Sequence, residues 1–83
     1  MEENTVEDVA DNLKIIVGKR LRLLRKARRI SRTEMAAKLG ISQPALYYIE
    51  TGKNCPMVRV MAAARILGVT VDSLLEGEPE HAA

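Results

Sequence analysis

The chain has 83 residues, 47% of them apolar, and a formal net charge of +2, enough for one small domain whose single core is near the marginal size. Phe and Trp are absent and Tyr47 and Tyr48 are the only aromatic residues, so the core has to be built from Leu, Ile, Val, Met and Ala. A single cysteine excludes an internal disulfide framework or a Cys/His zinc set; no apolar run reaches the roughly 20 residues of a membrane span, and the acidic start is unlike a signal peptide, so the sequence reads as cytosolic.

In chain order, the first twelve residues are acidic. Thr5 followed by Asp8 can start a helix, and Val6, Val9, Leu13 and Ile16 then form a stripe at three- and four-residue spacing. The spacing predicts a helix from about Val6 to Arg28, bent or interrupted near Gly18, where glycine costs about 1 kcal/mol relative to alanine. Acids at its beginning and bases at its end suit the helix dipole. The apolar stripe fits either a protein contact or a frayed tail. Beyond Gly18 the core face is Val17, Leu21 and Leu24, with Lys19, Arg20, Arg22, Lys26, Arg28 and Arg29 expected to point mostly outward.

Ser31 with Glu34 three residues on reads as a capping box, and Ile30 and Met35 can staple the start of a second helix. Ala36 is small enough for another helix to cross closely. Gly40 follows Leu39, the last apolar residue, where a left-handed backbone is easiest for glycine, and Leu39 and Ile41 flank the turn. Ser42 caps a third helix and Pro44 sits in its first turn, where a missing N–H does no harm. Ala45, Leu46 and Ile49 share its inner face, so Gln43, Pro44, Tyr47, Tyr48 and Thr51 fall together on the outer one.

Gly52 ends that helix, and Lys53, Asn54 and Cys55 form a loop in which Cys55 reads as a cap or spacer. A fourth helix is expected from about Pro56 to Leu67, with Met57, Val60, Met61, Ala64 and Leu67 as its inner stripe. Gly68 stops it. Thr70 caps a short last helix, Val71 to Glu76, where Val69 and Leu74 form a staple and Val71, Leu74 and Leu75 close the core. From Gly77 onward the sequence is a polar tail, and its His81 reads as solvated.

The charge is strongly segregated. All 13 Lys and Arg lie between Lys14 and Arg65, opposed there only by Glu34 and Glu50, while the other nine acids lie in the flanks. Such a basic centre fits a polyanionic partner. One cysteine and one tail histidine assemble neither a catalytic pair nor a metal site, so no enzyme activity, metal or cofactor is expected.

The spacing of Ala36, Gly40, Leu46 and Ile49, followed by Glu50-Thr51-Gly52-Lys53, resembles the phage Cro and repressor type helix-turn-helix regulators. The flanking segments, residues 18–31 and 64–77, agree with it. The resemblance implies an all-α, compact five-helix repressor-like domain over residues 17–77, preceded by an acidic amphipathic extension, residues 1–16, and followed by a polar tail, residues 78–83. It implies a sequence-specific transcriptional regulator, a repressor binding double-stranded DNA as a homodimer on a pseudo-palindromic operator.

It further implies that Gln43, Pro44, Tyr47 and Tyr48 face the bases, with Gln43 and Tyr48 reading them directly, since proline replaces a usual polar residue. Arg32, Ser42, Lys53 and Asn54, at element ends, would meet phosphates; Arg32 stands where the family usually has glutamine. Arg25 would pair with Glu50. The alternative is an antitoxin-like or anti-regulator module whose main partner is a protein, bound through Val6, Val9, Leu13 and Ile16.

Overall fold

The computed structural model describes residues 5–76; residues 1–4 and the polar tail from Gly77, with His81, lie outside the described residues. Among those described, five helices follow one another: α1 (Val6–Ala27), α2 (Arg32–Leu39), α3 (Gln43–Glu50), α4 (Met57–Leu67) and α5 (Val71–Leu75). The chain is all-α, as the resemblance implies.

Local chemistry sets most of the boundaries. At α1, Thr5 and Asp8 form a full capping box: the Asp8 amide donates to Thr5 Oγ1 and the Thr5 amide to Asp8 Oδ2. Ser31, Ser42 and Thr70 cap α2, α3 and α5 by accepting from the amides of Glu34, Ala45 and Ser73. At Ser31 only this half of the expected box forms. Gly40 ends α2 in the left-handed region at φ 69°, which lets the Ile41 amide reach back to the Ala36 carbonyl. α4 begins at Pro56 with no side-chain cap, so Cys55 is not a cap; it is half-buried against the core.

The core takes residues from every helix: Val17 and Leu21, Met35 and Ala36, Leu46 and Ile49, then Val60, Ala63, Ala64 and Leu67, and finally Leu74. Leu24, Ile30, Leu39, Ile41, Val69 and Val71 pack around it.

Four expectations are corrected. α1 runs through Gly18 without a break. There the absent side chain serves packing: a Cβ would stand 2.2 Å from the Ile49 carbonyl oxygen and 2.8 Å from that of Glu50, so the glycine seats α1 on the end of α3. Arg20 points inward, buried, and donates to the carbonyls of Leu74 and Glu76; a cation at the carbonyl end of α5 completes bonds the helix cannot make itself. Met57 and Met61 are 58% and 51% exposed, and Ala63 takes a core position instead. Leu75 is likewise 41% exposed.

The exposure of Met57 and that of Leu75 have one physical cause. Met57 and Leu75 line an open apolar groove together with Leu13, Val17, Val60 and Val71, because no other described residue covers this side of α1, α4 and α5. The face of α1 that enters the core continues outward past the body of the domain as Val6, Val9, Ala10 and Leu13, the residues of an adjoining apolar hollow. Ile16 falls to one side, beside Lys19, Arg20 and Leu23.

Candidate nucleic-acid interface

α2 and α3 meet at the turn of Gly40 and Ile41, and α3 is held on its other side by α1. With Leu46 and Ile49 buried, the opposite side of α3 faces outward, and Gln43, Pro44, Tyr47 and Tyr48 are all exposed there. The two tyrosines are each 44% exposed, their rings 6.0 Å apart in an edge-on arrangement at 62°. Large amphipathic rings left out of a core that has no other aromatic residue are suited to contact something else. Thr51 closes the helix by donating its hydroxyl to the Tyr47 carbonyl at 2.8 Å.

Arg32, Ser42, Lys53 and Asn54 are exposed around this face. Arg32, the first residue of α2, lies with its guanidinium 5.9 Å from the centre of the Tyr47 ring, within cation–π range. Ser42 already accepts the Ala45 amide. In the loop after α3, the amides of Lys53 and Asn54 donate to the Tyr48 carbonyl, and that of Gly52 to Ile49. They are engaged in closing α3, which leaves the Lys53 and Asn54 side chains for an outside anion.

Behind the face lies a buried ion pair. Arg25 Nε donates to Glu50 Oε2 at 2.7 Å and Nη2 to Oε1 at 3.2 Å, while Nη1 donates to the Ile30 carbonyl at 2.8 Å. The side chains are 7% and 3% exposed. This fork ties α1 to the C-terminal end of α3 and so sets the angle at which the outer face is presented.

Between α1, α2 and α3 runs a cleft of about 380 Å³ lined by Lys19, Arg22, Arg32, Tyr47, Glu50 and Thr51. The sequence places Lys19 and Arg22 outward but gives no reason to join them to α3. Their spacing of three puts them on one face of α1, and only the packing shows that this face borders Tyr47. On the far side of α1, burial pushes the Cys55 thiol above its ordinary pKa, with Lys14 nearby acting against the shift.

The described residues bring together no cluster of potential metal ligands, and none of their helices is long and apolar enough to cross a membrane. No curated protein is significantly similar in sequence. A chain of the solved SinR protein/SinI protein complex is similar in structure, with a TM-score of 0.64 and 28% identity over 78% of this chain. This chain spans 65% of the length of that one. The sequence profile of the helix-turn-helix domain matches residues 16–76, a span that holds the α2–α3 turn, the exposed face of α3 and the helices supporting them, and the chain belongs to this helix-turn-helix family.

Proposed function

We propose that the protein is a sequence-specific transcriptional regulator that represses by occupying DNA as a homodimer. Two copies would set their α3 helices into successive major grooves about 34 Å apart on a pseudo-palindromic site. The observation that carries this reading is the exposed outer face of α3, where Gln43, Tyr47 and Tyr48 stand clear of the core between the cations Arg32 and Lys53. Glutamine offers an amide that can bond adenine through two atoms, and a tyrosine ring can cover a thymine methyl. Pro44 contributes shape only. Arg32, Ser42, Lys53 and Asn54 hold the backbone, and Arg25 with Glu50 holds the angle of α3.

A second reading rests on a separate observation. The apolar strip from Val6 through Leu13 to Leu75 is exposed, and the similar solved chain belongs to a complex of two proteins. An interaction module built on residues 1–16, with DNA binding subordinate to a protein partner, would use that strip.

The test is to select duplexes from random genomic fragments and measure binding to selected and scrambled DNA across a salt series. Gln43→Ala or Tyr48→Ala should cost about 1–3 kcal/mol on the selected site and little on scrambled DNA. Arg32→Ala or Lys53→Ala should weaken both and lower the salt slope by about one unit. Equal losses for all four variants on both duplexes would refute base reading by Gln43 and Tyr48, and no enrichment at moderate salt would favour the interaction module.

A further inference from the structure

The geometry points to the cleft between α1 and α3 as a binding site for one backbone phosphate of DNA, formed by Lys19 and Arg22 of α1 together with Arg32 of α2. This inference rests on the DNA-binding reading and extends the nucleic-acid surface beyond the helix-turn-helix onto α1.

Three features carry it. The cleft is a concave space of about 380 Å³ whose lining includes three cations from two helices. Its one acid, Glu50, does not oppose them, because both carboxylate oxygens accept from the buried guanidinium of Arg25. The cleft therefore presents a concentrated positive charge, and the Thr51 residue on its wall adds a polar group. Finally, it opens beside Tyr47, which lines the cleft and is exposed on the outer face of α3. A duplex whose groove receives that face has a phosphate strand running along its border, and the cleft is the concave, cationic place for that strand to lie.

The positions of the three cations also have local causes. Gly18 lets α1 approach the carbonyls of Ile49 and Glu50, which brings the next turn, with Lys19 and Arg22, alongside Tyr47 and Thr51. Arg32 is held over the Tyr47 ring at 5.9 Å, so the cation from α2 is already turned toward α3. Arg can grip a phosphate with two parallel N–H bonds while Lys supplies a point charge. Lys19 and Arg22 are exposed, so neutralising them leaves the core intact.

The experiment uses the full chain with Lys19→Ala, Arg22→Ala, the double variant, and Arg65→Ala as a control on an exposed cation of α4 outside the cleft. Binding to selected and scrambled duplexes is followed from low to moderate salt, with thermal unfolding to verify the fold. The double variant should lose affinity by the same factor on both duplexes, with a salt slope shallower by up to about 0.9, the share of one phosphate, since Arg32 remains in the cleft. Its unfolding midpoint should match the unaltered protein. A series of duplexes carrying one neutral methylphosphonate each should contain one position per half-site that weakens the unaltered protein more than the double variant. If the unaltered protein binds and the double variant keeps its slope, or loses no more than Arg65→Ala, the cleft is not a phosphate site. If no such methylphosphonate position exists, the charges act diffusely and the inference is likewise overturned. Absence of any DNA binding by the unaltered protein would instead overturn the functional reading itself.

Discussion

Replacing Glu50 by alanine would remove both acceptors of the Arg25 fork and leave a guanidinium only 7% exposed with Nε and Nη2 unpaired. The bond from Nη1 to the Ile30 carbonyl would remain, so the charge would keep one partner out of three. Breaking a buried ion pair by removing one side costs about 3–5 kcal/mol, because the other charge is stranded away from water. A domain of this size has a total stability on the order of 5–10 kcal/mol, so the change is a large fraction of it. At about 4–8 °C per kcal/mol for a domain of 60–100 residues, the unfolding midpoint should fall by about 12 °C or more. Calorimetry or circular dichroism on Glu50→Ala, together with Glu50→Leu, Arg25→Met and the pair Arg25→Met with Glu50→Leu, gives the full cycle. The pair should recover most of the loss, since an apolar replacement of similar volume leaves no charge to strand. DNA affinity need not recover with stability, because the fork also sets the angle of α3. A midpoint shift below about 4 °C for Glu50→Ala would correspond to less than about 1 kcal/mol and would refute the claim that this bridge is buried and holds α1 to α3.

Gly18→Ala should destabilise by about 1–3 kcal/mol by chemical denaturation despite alanine's better helix propensity, because the added Cβ would meet backbone oxygens that cannot rotate away. Gain in stability would mean that the glycine is an ordinary helix residue. Deleting residues 1–12 should leave a folded domain, since the buried residues of α1 begin at Val17, yet should reduce self-association or partner binding in sedimentation; an unchanged oligomeric state with no partner lost would make the apolar strip an unused surface. Cys55 should react with a thiol reagent at neutral pH more slowly than a free cysteine, and its rate should rise at a higher pH, because burial disfavours the thiolate. A rate equal to that of a free thiol would refute the claim that burial disfavours the Cys55 thiolate.

The helix-turn-helix was legible in the sequence because its determinants are local. Ser31, Gly40, Ser42, Pro44 and Gly52 act within a few residues of themselves, through hydrogen bonds and backbone angles that do not depend on distant neighbours. The outer face of α3 was legible for the same reason: once Leu46 and Ile49 turn inward, helical spacing leaves Gln43, Tyr47 and Tyr48 outside. Neighbourhood between helices is a different matter. Whether Gly18 bends a helix or admits another backbone depends on α3 lying against it, and whether Arg20 faces water or the carbonyls of Leu74 and Glu76 depends on where the chain returns 54 residues later. In α4, periodicity admits Met57 and Met61 to the inner stripe as readily as Ala63, and only the packing of α4 on its neighbours decides that Ala63 is buried while Met61 stays exposed and Met57 lines the open groove beside α1 and α5. The same holds for Lys19 and Arg22: sequence spacing puts them on one face of α1, but it is the close seating of α1 on the end of α3 that turns two solvated cations into the wall of a cleft.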